Sequence, residues 1–230
     1  MKQGVRPIQF VVWSGLVLII LTILAAFVVE QRGKGRPVKA GFPDYGEVTA
    51  FSVTNQHGNV VTRSSLAGKL WVANIIFTRC PGPCAQMSLQ MAALQKAVPA
   101  EWPVQFISLT TDPEFDNPEI LSEYGRKFGA DPKRWWFLTG SKRDMIDLAV
   151  QGLKLTTIEK PEGQRDLPED LFIHSTISVL VDGQGRIRKT LTVLPPDTEV
   201  VEEQIATFKQ ESVKQMREAI EQLLKEGTTK

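Results

Sequence analysis

The chain is poor in sulfur nucleophiles and in imidazole: two cysteines and two histidines stand among 230 residues. The cysteines, Cys80 and Cys84, are near neighbours, so a framework of long-range disulfide staples is excluded. A bridge across so short a loop would add little entropic stabilisation. Excess charge of one sign is also missing. With 27 basic residues against 26 acidic ones, nothing draws the chain generally toward nucleic acid or acidic substrates. There is no internal repeat and no low-complexity tract. What remains is an ordinary globular composition, 42% hydrophobic and 23% charged, and a length suited to one sizeable domain with appendages.

One local absence is informative. No charged residue occurs from Pro7 to Val29, and Phe10 to Val29 is almost wholly apolar. A helix needs about 20 such residues to cross the hydrocarbon core of a bilayer. A cleaved leader would carry an apolar core of only about 7–15 residues, ending at a small-x-small site. This run leaves as Ala26-Phe-Val-Val-Glu30, without such a site. The expectation is a single transmembrane helix within residues 1–30, a Gly-, Pro- and Lys/Arg-bearing linker over 31–44, and a globular domain over 45–230. Lys2 and Arg6 precede the span, whereas Arg32, Lys34, Arg36 and Lys39 follow it. By charge bias alone, the flank after the span would face the cytoplasm.

The domain alternates strands with helices. Val48 to Val53 and Val60-Val61 flank an Asn55–Asn59 turn. Leu70 to Phe77 is a continuous apolar run, as in a strand buried on both faces. A helix follows from about Cys84 to Ala97, then a strand over Val104–Leu109. Asp116-x-x-Glu119, with Pro118 in the first turn, predicts a capped helix to Phe128. A short strand over Trp135–Leu138 precedes a helix from Ser141 to about Gln151. Residues 154–170 read as a polar excursion or small hairpin. Ile177–Val181 and Ile187–Val193 flank Asp182-Gly-Gln-Gly185 as an antiparallel hairpin. A last amphipathic helix is expected over about 197–225, with a break near Lys209. Such an order gives an α/β sandwich around a mixed central sheet. With cysteines where the first buried strand meets its helix, it is the thioredoxin-like arrangement.

The chemistry gathers at that junction. A helix N-terminus favours a thiolate at Cys84, and Arg79 is a neighbouring cation. Pro81 and Pro83 stiffen the loop, and Gly82 permits the bend between them. Two sulfurs at this spacing can bond to each other or share a metal ion. Soft sulfur ligands select Cu(I), Zn or iron–sulfur chemistry. Two ligands leave a metal site incomplete. His174, at the entry to the strand Ile177–Val181, is the candidate third donor, although a lone histidine is more commonly a loop residue satisfied by the backbone. His57, in the Gln56-His-Gly58 turn, reads as a solvated turn residue.

These segments together resemble the Sco/SenC family of membrane-tethered copper proteins. The matching stretches are Gly68 to Cys84, Ile107 to Pro118 and His174 to Asp182. The resemblance implies a thioredoxin-like fold and copper, as Cu(I) or Cu(II), bound by Cys80, Cys84 and His174. It also implies a metallochaperone role in maturing the dinuclear copper centre of cytochrome c oxidase, by delivering copper or by reducing the target's cysteines. The partner would be that copper-bearing subunit or another copper protein, and the domain would lie on the extracytoplasmic, periplasmic side. Asp112 and Pro113 match the family's Asp-Pro loop, where Asp112 would be structural. Two departures stand out. Ala85 replaces a usual proline, and Ile173 stands where an acidic residue often precedes the histidine, removing a carboxylate that could tune the metal. A different reading is a thiol–disulfide oxidoreductase using Cys80 and Cys84 as its exchanging pair. Such enzymes usually carry Cys-x-x-Cys and a proline where Ser175-Thr176 stands here.

Overall fold

A computed structural model describes residues 7–33, 42–165, 171–195 and 202–227; in the first stretch, side chains are described over 11–24. The chain divides into two compact units, Met1–Gly41 and Phe42–Lys230. The first contains one helix, α1 (Pro7–Gly33). Among the described residues no helix is long and apolar enough to cross a membrane; the described side chains of α1 stop inside the apolar run. Most of the expected linker, residues 34–41, lies outside the described residues.

The second unit is built on β3 (Leu70–Ile76), every residue of which is buried. It pairs in parallel with β4 (Val104–Thr110) on one side and antiparallel with β8 (Ile177–Val181) on the other. Alternation along β3 sends Leu70, Val72 and Ile76 into one core and Trp71, Ala73 and Ile75 into a second, on the opposite face. The full sheet adds β1 (Ser52–Asn55), β2 (Val60–Thr62), β5 (Trp135–Thr139) and β9 (Ile187–Thr192), in the order β2-β1-β5-β4-β3-β8-β9. Helices α2 (Pro83–Ala97), α3 (Pro118–Lys127) and α5 (Glu202–Gly227) contribute to the first core. Helix α4 (Lys142–Ile146), continued by a π turn over Asp147–Gly152, covers the second.

Three expectations change in detail. The first strand starts at Ser52 rather than Val48, because Glu47 bridges Arg186 and the Val48 N–H bonds the Gly185 carbonyl instead. Asn117, not Asp116, caps α3, its side chain accepting from the Ile120 N–H at 3.0 Å. Helix α5 runs unbroken through Lys209; with no glycine or proline between Glu202 and Glu226, nothing interrupts its hydrogen-bond ladder. Its expected start near 197 lies outside the described residues. The polar excursion takes the small-hairpin form, extended to His174 as a separate antiparallel ribbon of β6 (Thr157–Glu159) with β7 (Phe172–His174). The chain enters it through Lys154, whose φ of 59° is the only positive one at a non-glycine among the described residues.

Candidate metal centre

The cysteine loop emerges from the C-terminal end of β3. Phe77 is buried, and its carbonyl accepts the Cys80 N–H at 3.2 Å, turning the chain. Gly82 precedes the helix with φ −140° and ψ −100°, and Pro83 opens α2 where its missing N–H costs nothing. Cys84 is therefore held on the first turn of α2, 1% exposed, while Cys80 remains half-buried on the loop. Both are thiols rather than a disulfide. A hydrogen bond joins their side chains, and the Phe77 N–H approaches the Cys84 sulfur at 3.4 Å.

Electrostatics at Cys84 run against the sequence expectation. Burial pushes its thiol well above the ordinary range, and the neighbouring Cys80 pushes the same way; the Phe77 N–H pulls down but loses. Desolvation outweighs the helix end, whose favourable effect is typically about 0.3–1 kcal/mol. Arg79 does not relieve it. Its guanidinium donates to Asp112 Oδ2 at 2.6 and 3.1 Å and lies 4.2 Å over the Phe115 ring, so its charge is already matched. Asp112 is buried and accepts both of these bonds.

The residue that sequence reasoning passed over is Asp116. It is fully buried. One carboxylate oxygen accepts from the Thr78 hydroxyl; the other accepts from the Thr110 hydroxyl and, at 3.1 Å, from the Thr78 N–H. Thr110 in turn accepts the Asp112 N–H at 3.0 Å. Burial raises the Asp116 pKa above its ordinary value, against the pull of those threonine bonds. The available signal was a surplus: Asp116 and Asn117 adjoin one helix start, and a single cap uses only one of them.

His174 ends β7, its backbone paired with Thr157. The Phe172 ring packs edge-on against Phe77, centroids 5.3 Å apart, which sets β7 beside the start of the cysteine loop. From there the chain enters β8 alongside the C-terminal half of β3, so both candidate segments share one end of the sheet. The His174 side chain lies outside the described residues. His57 is at the opposite end, exposed, with Nε2 3.3 Å from the Pro132 carbonyl oxygen.

The donor chemistry fits a soft metal ion. A hydrogen bond joins the two sulfurs, and the buried carboxylates of the adjoining loop, Asp112 and Asp116, are engaged by Arg79 and by threonines. Among the described residues no group of three Cys, His, Asp or Glu side chains is placed to hold an ion.

The SCO1/SenC family model matches residues 43–210. The chain belongs to the SCO1/SenC family. Its relatives include the SCO1 protein homolog of Bacillus subtilis, 37% identical over 145 residues that cover 62% of this chain and 72% of the relative. Among solved structures, BsSco, described with a disulfide switch and as a member of the Sco family of cytochrome c oxidase assembly proteins, is 31% identical. It superposes with a TM-score of 0.56 over 75% of this chain and 95% of that one. Bradyrhizobium japonicum ScoI with copper bound, 23% identical, shares the fold, with a TM-score of 0.55 over 72% of this chain and 99% of its own. The mixed sheet with flanking helices is thus the thioredoxin-like Sco fold.

Proposed function

We propose that this SCO1/SenC protein is a membrane-tethered copper metallochaperone, with copper as its cargo, bound by Cys80, Cys84 and His174, for assembly of the dinuclear copper centre of cytochrome c oxidase. The observation that carries the reading is the buried contact between the two sulfurs at the end of β3. Burial keeps the Cys84 proton in place until a cation replaces it. Copper loading then releases thiol protons and depends on both cysteines being reduced. His174 supplies the third donor, from a strand packed through Phe172 against the same loop. The half-buried Cys80 leaves the site reachable from one side, as ligand exchange with a recipient requires.

Helix α1 is the proposed anchor. At about 1.5 Å per residue its 27 residues exceed the roughly 30 Å hydrocarbon thickness. The described part of its surface is apolar apart from Ser14 and Thr22, whose hydroxyls bond carbonyls of the helix itself, and Val11, Trp13, Leu18 and Ile23 are all more than half exposed. The family's role supports an extracytoplasmic domain, against the local charge bias.

The thiol–disulfide exchange reading draws less support, because a thiol whose proton is held by burial is a poor attacking group. Titrating the reduced full chain with Cu(I) in detergent separates the two. Parent protein takes up copper in equal amount; Cys80→Ser and Cys84→Ser lose tight binding, and His174→Ala weakens it while leaving dithiol exchange intact. If His174→Ala holds copper as firmly as the parent, the ligand set is wrong.

A further inference from the structure

We propose that Asp116 is a positioning residue for the cysteine pair, acting through Thr78 on the separation and facing of the two sulfurs. This deepens the copper reading and rests on it for one of two readouts. Asp116 hydrogen-bonds neither cysteine, although its charge adds to the upward push on the Cys84 thiol; its hydrogen-bond partners are Thr78 and Thr110. Thr78 lies two positions before Cys80, and between them Arg79 is held by Asp112. Both residues leading into Cys80 are therefore fastened to the segment following β4.

The two fastenings are one network. The Asp112 N–H donates to Thr110, whose hydroxyl donates to Asp116, which also receives both the hydroxyl and the N–H of Thr78. Each hydroxyl has a fixed direction, because both carboxylate oxygens act as acceptors. On its other side the loop is fixed by Pro83 and the first turn of α2, which carries Cys84. Cys80 thus sits on a short bridge pinned at both ends. A carboxylate buried this completely is costly to desolvate, and a neutral acceptor would close the same loop at lower cost. The charged group holds three donors at once, which a neutral side chain of this size cannot do.

The test uses the full chain in detergent, with Asp116→Asn, Asp116→Ala and, as control, Asp182→Asn, a buried carboxylate at the opposite end of the sheet. The first readout is metal-free: the equilibrium between the dithiol and its disulfide against glutathione. Two thiols lose two electrons and two protons to form one S–S bond, while one oxidised glutathione is reduced to two thiols. The second is Cu(I) affinity by competition, and thermal midpoints report folding. Both Asp116 variants make the disulfide about tenfold less favourable and weaken copper binding by about 10- to 100-fold. Asparagine does less harm than alanine because it keeps one accepting oxygen. Asp182→Asn lowers the midpoint but leaves both readouts at parent values. Should Asp116→Ala not fold, Thr78→Val removes one donor and shifts both readouts the same way. The proposal is overturned if the Asp116 variants behave as Asp182→Asn does. If the parent binds no copper but the disulfide equilibrium still shifts, the positioning role stands and the copper reading falls.

Discussion

At the residue scale, two buried carboxylates at opposite ends of the sheet show how partners decide the state of a charge. Asp182 is pushed up by burial, but the Arg186 N–H, the Arg188 and Arg186 side chains and the Gln184 N–H together hold its carboxyl below the ordinary carboxylate range. Arg188 also reaches the Phe42 carbonyl at 3.0 Å and approaches Glu226 at 3.8 Å, so this carboxylate ties the start of the domain to the end of α5. A depressed folded-state pKa stabilises the fold above the unfolded value and ceases to do so as pH falls through the folded one. Asp182→Asn should therefore cost about 2–3 kcal/mol at neutral pH, and the gap to the parent should close progressively as the pH falls through the ordinary carboxylate range and below it. Urea denaturation across that range checks it; a gap independent of pH contradicts the assignment. The ligand candidates were readable because cysteine and histidine are so scarce here. Asp116 was not, since its partners Thr78 and Thr110 come from two different strand ends.

At the element scale, the buried strands declared themselves. Leu70 to Ile76 is apolar at nearly every position, and only a strand covered on both faces needs that. Asn74 is the exception, satisfied in part by the Ser108 hydroxyl, which Trp135 also reaches. Pairing choices were less legible. Val48 fits a strand by composition, yet its N–H is taken by the β8–β9 turn, a partner far along the chain. Packing of α3 on β5 gives the sharpest test. A Cβ on Gly125 would lie 2.8 Å from the Phe137 ring, which is fully buried and stacked on Trp135 with centroids 5.0 Å apart. Gly125→Ala gains about 1 kcal/mol of helix propensity but overpacks a ring with little room to shift, a cost of about 1–3 kcal/mol. A net loss of up to about 2 kcal/mol is expected by chemical denaturation. A net gain would show that Phe137 yields.

At the scale of the whole molecule, the chain combines an apolar helix with a domain whose cysteine pair sits at one end of its sheet. The proposed anchor makes a simple prediction: alkaline carbonate leaves the full chain in the membrane fraction, while a chain beginning at Phe42 is released and keeps its copper stoichiometry. Release of the full chain would remove the anchor from the account. The central claim is the convergence of Cys80, Cys84 and His174 on one ion. X-ray absorption at the copper edge of the reduced, Cu(I)-loaded full chain tests it most directly. Two sulfur scatterers and one imidazole nitrogen are predicted, with the nitrogen lost in His174→Ala. A spectrum of sulfur alone in the parent, unchanged by that substitution, would contradict it.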